Sequence, residues 1–280
     1  MKRLSTPAYL GPFSVWILLF FILPLLIIAG TSFLEKGVYG GVTGRLSLTA
    51  WRDLWNPAFL RVALSTLVLA CATTVLTFGL ALPTAYAIAR SRYKNLLLFL
   101  VIVPFWTNFL IRIYAWIAIL GNNGYLNQAL LYFGWIAEPV QFLYTGTSVA
   151  AVMTYTFLPY AILPLYASIE RFDFSLIEAA QDLGAGALRA HRLVLLPNIR
   201  AGITASLLFT LIPALGQYAV PQLIGGRNSF MLGNLIAREL TVSRNWPLAA
   251  SLSVLLTLLT TLGIVLFLRF SNGPKTLPVK

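Results

Sequence analysis

Charged residues are scarce in this chain of 280 residues. They make up 10% of it, whereas a soluble globular domain has roughly a quarter. Hydrophobic residues make up 59%, and the mean hydropathy is +0.82. So little polar surface cannot cover a soluble core, which excludes a soluble enzyme or binding domain. The composition predicts an integral membrane protein.

Cysteine and histidine are almost absent. Cys71 is the single cysteine and lies in an apolar run, which excludes a disulfide framework and a thiolate metal cluster. His191 is the single histidine, which excludes a multi-histidine metal site. A nucleotide-binding P-loop is also missing, because Gly273-Pro274-Lys275-Thr276 has proline before the lysine and no leading glycine. We expect this chain to bind no cofactor and a separate subunit to bind ATP.

Long apolar runs dominate the rest of the sequence. A helix needs about 20 apolar residues to cross the hydrocarbon core. Six candidate spans are present: 11–32, 62–89, 96–120, 148–169, 201–223 and 248–269. The first span is longer than the roughly 7–15 apolar residues of a signal peptide, so we predict an uncleaved helix. The predicted class is an all-α integral membrane protein with six transmembrane helices.

The chain has 20 Lys and Arg and eight Asp and Glu, which gives a net charge of +12. Six spans place twelve of these cations on the side of the termini and seven on the other side, with Arg112 inside the third span. The positive-inside rule then puts both termini in the cytoplasm. The outer loop at about 33–61 contains Trp51 and Trp55, which predict a short interfacial helix anchored by both rings.

The cytoplasmic segment 170–200 has the most specific pattern. Ser175 and Glu178 have the spacing of a capping box that starts a helix, and Gly184 can adopt the left-handed conformation that ends one. A second short helix is predicted at about 186–195, with Pro197 limiting its continuation. Two alanines beside a carboxylate form a surface that another protein can approach closely.

This segment resembles the coupling loop of ATP-binding cassette (ABC) importer permeases, which reads Glu-Ala-Ala, three residues, Gly, nine residues, Ile-x-Leu-Pro. Val194 takes the place of the isoleucine. The resemblance implies the type I (maltose-type) permease fold and a loop that docks in a cleft of a cytoplasmic ATPase. The predicted ATPase-coupling residues are Glu178, Ala179, Ala180, Asp182, Gly184, Leu196 and Pro197. Polar contacts are expected from Glu178, close packing from the alanines, and the turn from Gly184.

The family also implies partners and a location. A second permease subunit, two ABC ATPase subunits that hold ATP and Mg²⁺, and a periplasmic or lipid-anchored solute-binding protein are expected around this chain. The location is the bacterial inner membrane, in contact with lipid and with no nucleic acid. Expected organisation along the chain is a tail, first helix and outer loop over 1–60, a core permease domain over 61–271, and a cytoplasmic tail over 272–280.

Other stretches resemble the first permease subunit of spermidine/putrescine importers. They are Pro104-Phe-Trp-Thr-Asn108, Gly124-Tyr-Leu-Asn127, Leu163-Pro-Leu-Tyr-Ala-Ser-Ile-Glu170 and Asn245-Trp-Pro247. The resemblance implies a polyamine as the substrate, with opines and other small polar solutes as the alternative. A polycation is held by carboxylates and by aromatic faces. Candidate path residues are Trp106, Asn108, Tyr114, Tyr155, Tyr160, Gln217, Tyr218 and Gln222.

Two features oppose a polycation. Relatives often have an acidic residue at Gln217 or Gln222, and both are neutral here, while Arg112 would repel a cation. Either a companion permease supplies the anions or the solute is less cationic. A secondary transporter or channel, which would show inverted repeats or an acid–base relay, and a membrane enzyme remain the other classes. Co-purification with an ATPase separates the permease from both.

Overall fold

The computed structural model describes residues 6–271, and in that range the chain is mostly helical. The predicted tail, 272–280, and the basic residues Lys2 and Arg3 lie outside the described residues. The described residues form two compact units. The first contains 6–63 and 232–259, and the second contains 64–231 and 260–271.

The first unit begins with one long apolar helix and ends in part of another. Its elements are α1 (Thr6–Ile17), a π-helical turn (Leu18–Ile22), α2 (Leu23–Thr31), β1 (Leu34–Lys36), β2 (Val42–Leu46), α3 (Thr49–Asp53), the start of α4 (Pro57–Arg90), α14 (Leu232–Thr241) and most of α15 (Trp246–Ser271). The π turn lies just before Pro24 in the first turn of α2. A proline ring clashes with the carbonyl four residues earlier, and the wider π turn moves that carbonyl aside, so the helix continues.

A β-hairpin corrects the all-α prediction. β1 pairs with β2 in antiparallel register, with Leu34 opposite Leu46. Gly40 and Gly41 connect the strands at φ values of +94° and +78°, a conformation that residues with a Cβ rarely adopt. Over residues 6–271 the fold is therefore mostly helical with one two-stranded sheet.

A short helix, α3, forms in the predicted region, but it contains only Trp51, and Trp55 follows its end. The ring of Trp51 stacks on Phe33 with centroids 5.5 Å apart and packs against a leucine cluster. The buried members of that cluster are Leu54, Leu232, Leu235, Leu248 and Leu252. Trp55 is 78% exposed. Trp51 is therefore partly buried against the core of this unit, and the anchoring of both rings at the membrane interface stays a prediction.

The second unit holds the remaining helices. They are most of α4, α5 (Lys94–Ile102), a 3₁₀ turn (Val103–Trp106), α6 (Phe109–Leu120), α7 (Tyr125–Tyr132), α8 (Gly146–Glu170), α9 (Ser175–Asp182), α10 (Ala187–Ala190), a π turn (His191–Leu195), α11 (Leu196–Asn198), α12 (Arg200–Leu215), α13 (Ala219–Ile224), a 3₁₀ turn (Arg227–Ser229) and the end of α15. Much of α8 is buried, and α12 packs closely along it. Small residues permit this approach, as is usual between membrane helices.

Two of the six predicted spans are not straight helices. Four helices in the described residues are long and apolar enough to cross a membrane, and the number reaches six if each bent pair counts as one span. The segment predicted as span 96–120 bends by 94°, because Pro104 ends α5 and Thr107 is extended before α6 begins. The second bent pair joins Ala187–Asn198 to Arg200–Leu215 at 74°. Within the segment predicted as span 201–223, α12 ends at Leu215 and a new short helix, α13, begins at Ala219.

Candidate coupling surface and transport path

Helix α9 begins with a cap that differs from the predicted one. The carboxylate Oδ1 of Asp173 accepts a hydrogen bond from the backbone N–H of Ser175 at 3.0 Å. Ser175 is already the first residue of the helix, so the capping box of Ser175 and Glu178 was wrong. Asp173 supplies the acceptor instead, through a side-chain turn that spans two residues. The side chain of Glu178 is therefore exposed and available to a partner.

The same contacts set the charge of Asp173. Hydrogen bonds from the Ser175 hydroxyl and backbone N–H hold the pKa of this carboxyl below its usual range. The carboxylate is therefore ionised at neutral pH. Since the pKa is lowered in the folded chain, the contribution of this cap is present at neutral pH and is lost as the pH falls through the lowered pKa.

Removing this cap should loosen the start of α9. We expect Asp173→Ala to speed hydrogen exchange at the Ser175 amide, since that donor loses its acceptor, whereas Asp173→Asn, which keeps an acceptor oxygen, should stay near wild type. Hydrogen-exchange mass spectrometry of the peptide containing residues 173–182 measures the difference. Equal exchange in the alanine and asparagine variants would show that the side chain does not cap the helix.

Gly184 ends α9 as predicted. Its φ is +88°, and its N–H donates to the carbonyl of Gln181 at 2.8 Å. The N–H of Ala185 donates to the carbonyl of Ala180 at 3.0 Å. These two bonds define a Schellman motif, which reverses the chain directly after the helix.

The loop has two legs, one before the turn at Gly184 and one after it. The second leg is longer than the helix predicted at 186–195. It runs through α10, the π turn and α11 to Asn198. Pro197 was expected to limit the helix, but the π turn contains Leu193, the residue whose carbonyl the proline ring would meet. The amide Nδ2 of Asn198 donates to the carbonyl of Val194 at 2.7 Å and keeps that acceptor satisfied.

The predicted coupling residues divide between two faces. Of the seven, Ala180 and Leu196 are half-buried against the core cluster of the second unit, whose buried members include Ile177. The remaining five are exposed: Glu178, Ala179, Asp182, Gly184 and Pro197. Ala180 therefore packs against its own chain, which leaves Ala179 as the alanine that faces outward.

Two exposed leucines were missed. Leu183 and Leu188 flank the glycine turn, and their side chains are 90% and 84% exposed. Because a turn in water is normally polar, two leucines beside Gly184 and Gly186 were the available sequence signal. They give the outer tip of the loop an apolar surface.

An ion pair holds the base of the loop. The ammonium Nζ of Lys94, at the start of α5, lies 2.7 Å from the carboxylate Oε1 of Glu170, the last residue of α8. The hydroxyl of Tyr166 also hydrogen-bonds to Glu170. This carboxylate, which the sequence places at the cytoplasmic end of a span, is therefore committed to contacts within the chain.

The eight candidate path residues lie on several elements. Trp106 is 74% exposed at the end of the 3₁₀ turn, edge-on to Phe99 at 5.5 Å. Asn108 caps α6 by accepting the N–H of Leu110 at 2.8 Å. Tyr114 is exposed on α6. Gln217 and Tyr218 lie between α12 and α13, and Gln222 lies on α13.

The two candidate path tyrosines on α8 lie against other rings. Tyr155 meets Trp116 of α6 at 5.4 Å, and Tyr160 meets Phe105 at 5.0 Å. Tyr155 also lines a cavity of about 330 Å³, together with Pro104 and Pro159. The rest of its lining is Thr84, Ile88, Leu97, Leu100, Val101, Leu158 and Ile162. This wall is apolar and offers no carboxylate to a polycation.

Arg112 is partly buried on α6. Its Nε atom has no hydrogen-bond partner among the described residues, and the guanidinium lies 5.8 Å from the ring centroid of Phe109. The side chain of Asn108, four residues earlier, is used in capping the helix.

Comparison with known proteins identifies the family. Residues 77–272 match the family described as the inner membrane component of binding-protein-dependent transport systems. The spermidine/putrescine transport system permease protein PotB of Escherichia coli (strain K12) is 38% identical over 259 residues, which cover 92% of this chain and 94% of that protein. PotB of Haemophilus influenzae is 36% identical over 256 residues, or 91% of this chain and 90% of that protein.

The fold has solved counterparts. The chain is similar to a subunit in the crystal structure of a bacterial ABC transporter involved in the import of the acidic polysaccharide alginate, with a TM-score of 0.74 and 17% identity. The similarity covers 96% of this chain and 95% of that one. With a family match over most of its length and an ABC permease fold, this multi-pass membrane chain belongs to the binding-protein-dependent inner membrane components, the permease subunits of ABC importers.

Proposed function

We propose that this chain is one of two permease subunits of a bacterial inner-membrane importer that moves a polyamine, spermidine or putrescine. It crosses the membrane six times, with both termini and the segment 170–200 in the cytoplasm. The observation that supports this most is the loop tip at Gly184, where an ordered turn exposes Leu183 and Leu188. Such a surface fits a protein cleft better than water.

The energy for transport comes from partner subunits in this proposal. Two ATPase subunits hold ATP and Mg²⁺, and each pair of a loop and an ATPase cleft moves together. Glu178 and Ala179 contact the cleft from α9, the two leucines anchor the tip, and Asp182 adds a second carboxylate on the exposed face. The companion permease and an external solute-binding protein complete the assembly.

The polyamine substrate rests on the names of the PotB relatives. The exposed aromatic rings at Trp106, Tyr114 and Tyr218 suit cation–π contacts. Negative charge must then come from the companion permease, since acidic residues are absent between Asp53 and Glu138. The neutral Gln217 and Gln222 favour a second candidate, a less cationic polar solute such as an opine.

Purification of the tagged chain from its own membranes in mild detergent tests the permease assignment. We expect an ABC ATPase and a second permease subunit to co-purify, with ATP hydrolysis in the eluted complex. A chain that purifies without an ATPase and still supports solute uptake would instead belong to the secondary transporters.

Glu178→Ala should weaken ATPase docking while the chain still inserts in the membrane. Loss of a charge-assisted hydrogen bond costs roughly 1.5–3 kcal/mol, so about a tenfold to hundredfold loss of affinity is expected. The amount of ATPase that co-purifies and the uptake rate measure it. Glu138→Ala is the matched control, because Glu138 is equally an exposed glutamate but lies outside the loop. Unchanged co-purification in the Glu178 variant would remove this residue from the docking surface.

A further inference from the structure

Helix α4 contacts both legs of the coupling loop, although the chain does not connect it to either. The loop continues directly from α8 and into α12. Movement of the loop therefore reaches those two helices through the backbone. Movement passes into α4 through side-chain contacts, and Tyr86 in its last turns contacts both legs of the loop.

Tyr86 lies between Phe174 of the first leg and His191 of the second. Its ring centroid is 6.0 Å from that of Phe174 and 5.2 Å from that of His191, with edge-to-face geometry in both cases. One turn later, the guanidinium of Arg90 lies over Phe174 at 4.9 Å from the ring centroid. Two residues of α4 thus hold the loop at two points.

A hydrogen bond makes the contact with the second leg directional. Nε2 of His191 lies 3.0 Å from the hydroxyl oxygen of Tyr86, and Nδ1 lies 2.7 Å from the carbonyl oxygen of Ala187. A carbonyl oxygen can only accept a hydrogen bond, so Nδ1 must be the ring nitrogen that holds the proton and donates it to Ala187. Nε2 then accepts the hydroxyl proton of Tyr86. Both ring nitrogens are therefore satisfied, and the ring is held in one orientation.

His191 also lies where the backbone of the second leg changes from α-helical to π-helical. It is the first residue of the π turn, and its carbonyl accepts the N–H of Leu196 five residues later. Around it, Ile177, Ala190 and Leu195 pack the loop against the core through apolar contacts. Apolar packing has no preferred direction, so it resists separation of the loop from α4 better than it resists sliding. The Tyr86–His191 hydrogen bond is directional, so it also resists sliding of the loop along α4.

We propose that Tyr86 and His191 form a clasp that couples the loop to α4, so that ATPase-driven movement of the loop shifts α4 together with α8 and α12. Both are positioning residues, since neither contacts solute or nucleotide. This role rests on the proposed function of the loop in ATPase docking. It adds a transmission contact that lies outside the docking surface itself.

A double-mutant cycle on the full transporter complex tests the clasp. Tyr86→Phe removes only the hydroxyl, and His191→Phe removes both ring nitrogens while keeping an aromatic edge. The readout is solute taken up per ATP hydrolysed in proteoliposomes, measured beside the amount of co-purified ATPase. Tyr93→Phe is the control, because it removes a hydroxyl from an exposed tyrosine near the end of α4.

We expect each single variant to lower uptake per ATP by about threefold to tenfold, the range of one hydrogen bond. The double variant should be no worse than the more severe single one, co-purified ATPase should stay at the wild-type amount, and Tyr93→Phe should match wild type. Wild-type uptake per ATP in Tyr86→Phe, or losses that multiply in the double variant, would overturn the clasp. If His191→Phe does not assemble, Tyr86→Phe alone decides. Failure of the wild-type chain to co-purify an ATPase would count against the proposed function instead.

Discussion

Leu183→Asp is expected to separate the chain from its ATPase and to abolish uptake. Burying a leucine side chain contributes about 1.5–3 kcal/mol, and this side chain is 90% exposed in the isolated chain. A buried carboxylate without a partner adds a further penalty. Together these terms predict at least a hundredfold loss of docking affinity.

Pull-down of the ATPase by the tagged variant measures this loss. Leu46→Asp is the matched control, because Leu46 is a leucine with similar exposure, 83%, in the β2 strand. Leu183→Met should retain docking, since methionine keeps the apolar volume. If Leu183→Asp retained as much ATPase as Leu46→Asp, the loop tip would not be the docking surface.

Gly202→Val should strongly destabilise the packing of α12 against α8. A Cβ at this position would lie 2.6 Å from Cβ of Ser168 and 2.8 Å from the carbonyl oxygen of Pro164. The second of these is backbone and cannot rotate away, so α12 would be forced from α8. Overpacking of this kind costs about 1–3 kcal/mol or more.

The thermal unfolding midpoint in detergent should fall by roughly 5 °C or more. Gly79→Val is the control, since a Cβ at Gly79 on α4 meets nothing within 4 Å. A Gly202→Val chain that unfolds at the same temperature as Gly79→Val would show that α12 and α8 are not closely packed at this point.

The loop shows which features a sequence can specify. Gly184 was predicted correctly because a positive φ almost requires glycine after a helix. The cap was assigned to Ser175 rather than Asp173, since both residue types cap helices and only the backbone decides which one reaches the free N–H. The sequence pattern also could not show which face of α9 is exposed. Ala179 and Ala180 are the same residue type and differ only in the residues that each contacts in the folded chain.

The spans show the same limit. Continuous helices over Pro57–Arg90, Gly146–Glu170 and Trp246–Ser271 follow from long apolar runs. The bend after Pro104 could not be predicted from the presence of proline, because Pro159 and Pro164 lie inside an unbroken α8. Whether a proline breaks a membrane helix depends on neighbouring helices that satisfy the freed carbonyls, and apolar composition does not encode that.

Uptake of radiolabelled spermidine into proteoliposomes tests whether this chain is the permease of an ATP-driven polyamine importer. The vesicles contain the co-purified complex, with solute-binding protein outside, and ATP is enclosed with the ATPase subunits. We predict accumulation that requires ATP and that disappears in the Leu183→Asp complex. Spermidine accumulation without ATP would contradict a permease driven by an ATPase. Solute-binding-protein-stimulated ATP hydrolysis with no spermidine or putrescine accumulation would contradict the polyamine substrate.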